Sequence, residues 1–152
     1  TFSLGVAAEQ RQSTIRFTRT RTCAAGGTVT VEGTSVRSYD ADSRTLVVNT
    51  DAIKTPDACA HAVRRGEGTV AVTGDPNLRI TAARKRVDGA PYGLQTLTLQ
   101  GAFTWARSTG GSGSCTVDLL STLNPDAGTR TVKGTFCGRE VERTVAWTPG
   151  RG

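Results

Sequence analysis

An all-β fold is predicted: an antiparallel meander of about eight or nine strands forming an up-and-down barrel or a two-sheet sandwich, held by two disulfides. Three observations predict it. Apolar and polar residues alternate in short runs, turn residues recur between the runs at nearly even spacing, and four cysteines fall into two mirrored pairs. Cys115 and Cys137 are equidistant from Asp126, within the turn Asn124-Pro125-Asp126-Ala127-Gly128. Cys23 and Cys59 are equidistant from Ala41, within Tyr39-Asp40-Ala41-Asp42-Ser43. Opposed residues on antiparallel strands bring Cβ atoms to about 4.5–5.5 Å, within reach of a disulfide. A hairpin closing at Asp126 sets Val117 against Thr135 and Cys115 against Cys137, and the pairing Cys23–Cys59 follows from the mirror about Ala41.

Strands are expected near 13–22, 27–37, 44–54, 67–74, 77–87, 94–106, 114–123, 129–137 and 139–148. Between them stand Ala24-Ala25-Gly26-Gly27, Asp40-Ala41-Asp42-Ser43, Gly74-Asp75-Pro76-Asn77, the stretch 88–93 and the stretch 108–113. Each carries Gly, Pro, Asn or Asp where unusual dihedrals are needed. Only 55–66 has room for one or two helical turns. The expected division is an N-terminal extension or edge strand at 1–12, one β domain at 13–148 and a tail at 149–152.

Alternation nominates the buried face. Leu97, Leu99, Phe103 and Trp105 share one parity; so do Val117, Leu119 and Leu123, then Val141, Val145 and Trp147, and Leu78 with Ile80. The two Trp are expected to make the largest burials. In the first strand Ile15 and Phe17 run into Arg19 and Arg21 on one face. Either a bulge switches the face midway or the strand leaves the core. Segments 28–37 and 67–74 are weakly apolar, as edge strands often are. Thr148-Pro149 stops the sheet, because Pro donates no ladder hydrogen bond.

Composition bounds the function classes. Of 152 residues, 36% are apolar and 18 are Gly, which suits short strands and tight turns better than a large core. No stretch approaches the ~18 apolar residues that span a bilayer. There is no Met, so the chain reads as a processed product, and paired cysteines point to an exported protein, periplasmic or on the outer face of a bacterial membrane. Net charge is +6, carried by 16 Arg and the three Lys at 54, 85 and 133. Such basicity attracts acidic partners, anionic head groups and polyanions.

Chemistry-bearing motifs are scarce. A structural zinc site wants cysteines two to four residues apart, and none are; no metal and no cofactor is expected. His61, two residues after Cys59, reads as an exposed or capping residue beside Arg64 and Arg65. Glu140 and Glu142 share a strand face at a spacing a glycosidase could use, without an obvious cleft. Asp40 and Asp42 flank a turn tip and lack the further oxygen ligands of a calcium loop. No catalytic residues are assigned. Two basic clusters remain as interaction candidates: Arg16, Arg19 and Arg21, and Arg84, Lys85 and Arg86. Nucleic-acid platforms interleave such charge with aromatics. Here Phe17 is the only aromatic among them, so no nucleic acid is expected, and an anionic lipid surface or an acidic protein face fits better.

Gly113-Ser114-Cys115-Thr116-Val117-Asp118-Leu119, then Gly134-Thr135-Phe136-Cys137-Gly138-Arg139, resemble small exported Gly/Thr-rich two-disulfide proteins of environmental bacteria, many of them predicted lipoproteins. Arg19-Thr20-Arg21-Thr22-Cys23 and Gly26-Gly27-Thr28-Val29-Thr30-Val31 are similar to their first half. The resemblance implies compartment and fold and supplies no active site; a departure is that no lipid-bearing Cys stands near position 1. The expected function is a non-enzymatic structural or interaction protein of the envelope, a membrane-extrinsic subunit of a larger complex. A photosynthetic reaction-centre–antenna assembly is among the hosts this reading admits. The alternatives are a ligand-binding β-barrel lined by Trp105, Trp147 and Tyr92, for a small apolar molecule or a sugar, and a hydrolase using Glu140 and Glu142.

Overall fold

The computed structural model describes residues 10–149. The expected extension at 1–12 and tail at 149–152 lie mostly outside them. Ten strands form: β1 (Gln10–Thr22), β2 (Thr28–Asp40), β3 (Thr45–Asp57), β4 (Cys59–Ala62), β5 (Thr69–Val87), β6 (Ala90–Pro91), β7 (Gln95–Arg107), β8 (Ser112–Asn124), β9 (Thr129–Phe136) and β10 (Arg139–Ala146). They make one antiparallel sheet in the order β1-β2-β3-β5-β7-β8-β9-β10, with short β4 and β6 each against β5. The all-β meander is therefore as the alternation predicts. Its closure is not. β1 and β10 end the pairing path without meeting, so the sheet is open and is no barrel. Packing runs between hydrogen-bonded neighbours, with no second sheet laid across the first among the described residues.

Local chemistry explains the turns. In the β2–β3 turn Asp40 Oδ1 accepts from the backbone N–H groups of Asp42 and Ser43 at 3.0 and 3.5 Å. After β8, Asn124 Oδ1 accepts from Ala127 N–H at 3.1 Å. The β9–β10 turn is Cys137-Gly138 alone, both at positive φ (51° and 76°), the two-residue geometry whose twist matches flanking strands.

Both disulfides form as paired from the sequence, Cys23–Cys59 and Cys115–Cys137, with Cα separations of 5.4 and 4.4 Å. The registers behind them differ from the mirrors. Val117 pairs with Phe136, not Thr135, a slip of one position that places Cys137 in the turn beside Thr116, whose carbonyl accepts the Cys137 N–H. Thr28 pairs with Asp57, so Cys23 and Cys59 are not opposed on β2 and β3. Cys23 begins the β1–β2 turn instead. That turn docks beside β4 through Ala25 N–H to Ala60 O and Ala60 N–H to Gly26 O, both 2.9 Å.

Three other expectations are corrected. Residues 55–66 hold no helical turn: β3 runs to Asp57 and β4 follows. The strands expected at 67–74 and 77–87 are one strand, β5. The expected turn Gly74-Asp75-Pro76-Asn77 is a register shift against β7, flanked on the other side by β4 pairing up to Val72 and β3 pairing from Leu78. Segments 28–37 and 67–74 are interior rather than edge, since a sheet wet on one face needs few apolar residues even at its centre. In β1 no bulge occurs; Gln10–Thr22 pairs with β2 without interruption, so Ile15, Phe17, Arg19 and Arg21 do share one face of an edge strand.

The core is small. Leu78, Cys115 and Val117 form its centre at 7%, 2% and 4% exposure, with Leu99, Phe103 and Leu119 packed around them. Neither Trp belongs to this centre: both keep part of their surface in water, and among the described residues no large side chain is fully buried. The sheet needs glycine beside this centre. Gly101 (φ +144°) lies against the backbone carbonyl of Asn77 and Gly134 (φ +143°) against that of Asp118, so closely that a Cβ at either position would overlap the neighbouring strand.

Candidate functional site

Registers assign every paired residue to a face, because directly opposed side chains project together and neighbours along a strand alternate. One face carries the row Phe17-Gly33-Ala52-Ile80-Leu99-Leu119-Gly134-Val141 across all eight main strands. Every charged residue at a paired position on that face is cationic. Towards one end of the strands stand Arg11, Arg37, Arg84, Arg86, Arg130 and Arg143, and towards the other Arg19, Arg21, Lys54, Arg107 and Arg139. The paired acidic strand residues Glu32, Asp40, Asp51, Asp57, Asp118, Glu140 and Glu142 lie on the opposite face among Thr, Arg16, Arg79, Lys85 and Lys133.

The opposite face pairs part of its own polar groups. Arg79 grips Asp51 through Nη2 at 2.6 Å and Nε at 3.0 Å, and this hydrogen-bonded guanidinium holds the Asp51 carboxyl below its ordinary range. Gln100 donates to Asp118 at 3.1 Å, and threonine hydroxyls pair across strands at Thr20–Thr30, Thr81–Thr98 and Thr131–Thr144. The apolar face does not. Leu97, Val145, Phe136 and Ile15 stand 40–44% exposed.

At the Arg84 end of this face a groove of 410 Å³ is lined by Arg84, Arg86, Arg130, Leu97, Leu123 and Trp147. Its floor is fixed by Gln95, whose buried amide bonds the backbone of Lys85 in both directions (2.7 and 3.0 Å) and the carbonyls of Tyr92 and Gly93 (2.9 and 3.1 Å). That single side chain ties β5 to the 92–93 loop. None of the three arginines has a carboxylate partner among the described residues, where the ion pairs are Arg79–Asp51 and Arg44–Asp88. A neighbouring groove of 530 Å³ shares Arg86 and contains that Arg44–Asp88 pair at 3.4 Å, so it carries less excess positive charge.

The structure splits each basic cluster nominated from the sequence. Arg19, Arg21, Arg84 and Arg86 are on the cationic face; Arg16 and Lys85 are on the other. Lys85 Nζ lies 5.2 Å from the Tyr92 ring centroid. The proposed barrel lining is not brought together: Trp147 is in the Arg84 groove, Trp105 lies under Arg107 on β7, and Tyr92 is 58% exposed. Glu140 and Glu142 are exposed on edge strand β10, opposite Thr135 and Lys133. His61 Nε2 is 3.4 Å from Cys59 Sγ, and the cluster Cys23, Cys59 and His61 offers donors for a metal. Its two sulfurs are bonded to each other, which removes the thiolates a metal needs. The sequence reading missed Arg130 and Trp147 as companions of Arg84 and Arg86. Charge parity along each strand carries that signal, and contiguous basic clusters hide it.

No family model, curated protein or solved structure matches the chain. Two disulfides fit an oxidising compartment outside the cytosol.

Proposed function

We propose that the protein is a non-enzymatic interaction module of the bacterial envelope, a membrane-extrinsic subunit docked on a larger assembly on the periplasmic or outer side. One observation carries this reading: an open sheet leaves a face that is apolar at its centre, cationic towards both ends and free of paired acidic residues. Exposed apolar surface of this extent normally marks an interaction site. A second sheet of the same chain laid over it would place guanidinium against guanidinium, so the complement is anionic rather than another copy. Ligand capture inside a barrel is disfavoured by the open sheet.

The test is purification of the tagged protein from its native membranes in mild detergent, followed by native mass measurement. The expected result is a complex of fixed stoichiometry, whose other component identifies the host, a photosynthetic assembly included. Recovery of the monomer alone overturns the reading.

A further inference from the structure

The uncovered face is not equally available along its length. Neighbouring strands rotate by about 20–25° per step, so the two ends of an eight-strand path look in different directions and one flat partner cannot cover both. A docking site must be local. The Arg84 groove is where the chemistry concentrates.

Arg84 and Arg86 alternate with Lys85 on β5, which sends both guanidinium groups to one face and the lysine to the other. Arg130 arrives on the same face from β9 through the register Leu123↔Arg130, with Gln95↔Leu123 completing the row. Three like charges around one groove repel one another, and none of them is in ion-pair contact with a carboxylate among the described residues; Asp88, which lines the adjoining groove with Arg86, is engaged by Arg44. An anion does. Guanidinium groups are matched to phosphate oxygens in particular, because their fixed planar donors bind two oxygens at once.

The remaining walls exclude a purely polar ligand. Leu97 and Leu123, from β7 and β8, and the indole of Trp147 line the same 410 Å³. Leu97 is 40% exposed and leads along its strand to Leu99, so apolar surface runs from the groove towards the uncharged central row. An indole beside cations at the margin of apolar surface is the arrangement found at the boundary between head groups and acyl chains. Free phosphate uses the arginines and gains nothing from the rest.

We propose that this groove is a binding site for an anionic phospholipid at a membrane surface. The phosphate is held by Arg84, Arg86 and Arg130, Trp147 lies at head-group depth, and the upper acyl chain meets Leu97 and Leu123. This rests on the docking function above and names its partner at this end of the sheet.

The experiment is co-sedimentation of the intact, disulfide-bonded protein with vesicles of phosphatidylglycerol in phosphatidylcholine, and with phosphatidylcholine alone. Binding is expected on the anionic vesicles only, falling as salt rises. Each cation near such a surface is worth about five-fold in affinity, so Arg84→Gln with Arg130→Gln is expected to lose about 25-fold. Lys85→Gln with Lys133→Gln removes the same charge from the opposite face and is expected to leave binding within about two-fold of the parent, since those side chains face away from the lipid. Far-UV circular dichroism checks that both variants keep the fold. In a Trp105→Phe background, Trp147 emission is expected to shift to the blue on anionic vesicles and not with inorganic phosphate. Equal binding to neutral vesicles, equal loss in both double variants, or a Trp147 response to phosphate without vesicle binding each overturns the lipid site. If vesicles are not bound while a stoichiometric protein complex is still recovered from membranes, the lipid site falls and the interaction reading stands.

Discussion

Removing both disulfides is expected to abolish cooperative folding. In the chain-entropy model, closing loops of 36 and 22 residues stabilises by about 3–4 kcal/mol each, roughly 7 kcal/mol together. A domain of this kind has about 5–15 kcal/mol in total. The core offers little to replace them. Among the described residues three of the seven buried apolar ones, Cys23, Cys59 and Cys115, are themselves half-cystines. The Cys23–Cys59 bridge also fastens the β1–β2 turn to β4, a junction otherwise held by two backbone hydrogen bonds between the turn and Ala60. Urea titrations followed by Trp fluorescence and far-UV circular dichroism measure the effect. Replacing one pair by Ala should lower the midpoint and keep a single transition; replacing both pairs should leave no transition. A four-fold Ala variant with the parent's midpoint contradicts this account of the stability.

Leu78→Ala is expected to cost about 2–5 kcal/mol, the range for truncating a buried leucine. Leu78 is 7% exposed and packs on Cys115, Val117, Leu99, Phe103 and Leu119. Leu97→Ala, two strand positions from Leu99 on the same face, should cost under about 1 kcal/mol, because Leu97 keeps 40% of its surface in water. The contrast matters more than either value. A second layer covering the face would bury both leucines alike, so equal costs in urea titrations would show that the face is covered in solution.

Much of this fold was legible because β-structure writes itself in periods of two. Leu97, Leu99, Phe103 and Trp105 announced a face, and so did Val117 and Leu119; all of them lie on the one apolar face found. The disulfides were legible for a weaker reason. The mirror argument tolerates slips of one to three residues because both cysteine pairs involve a residue in a turn, where the chain has freedom to bring the sulfurs together. What escaped the sequence was closure. Alternation is the same in a barrel, a sandwich and an open sheet, since each wets one face of every strand. Gly74-Asp75-Pro76-Asn77 misled for a related reason: its turn chemistry is real, yet β4 and β7 before it and β3 and β7 after it keep both flanks in one strand. The groove was half legible. Arg84 and Arg86 stood out, while Arg130 on β9 and Trp147 just past the end of β10 lie far along the chain, and the register Leu123↔Arg130 with the hydrogen bond from Trp147 N–H to Gly128 O brings them near.

The sheet is open, and around its buried Leu78–Cys115–Val117 centre one face carries no second sheet. Thr18 on β1 and Glu140 on β10 lie in one row that crosses every main strand through Glu32, Ile53, Arg79, Gln100, Asp118 and Thr135. Seven inter-strand spacings of about 4.8 Å put them about 33 Å apart along the sheet. Both are exposed and face the same side, so nitroxides on Thr18→Cys and Glu140→Cys can be placed without touching the native disulfides. Pulsed electron–electron resonance on this pair is predicted to give a distance above about 20 Å once twist and coiling shorten the path. A distance under about 15 Å, as adjacent strands of a closed barrel would give, contradicts the open sheet and everything assigned to its uncovered face.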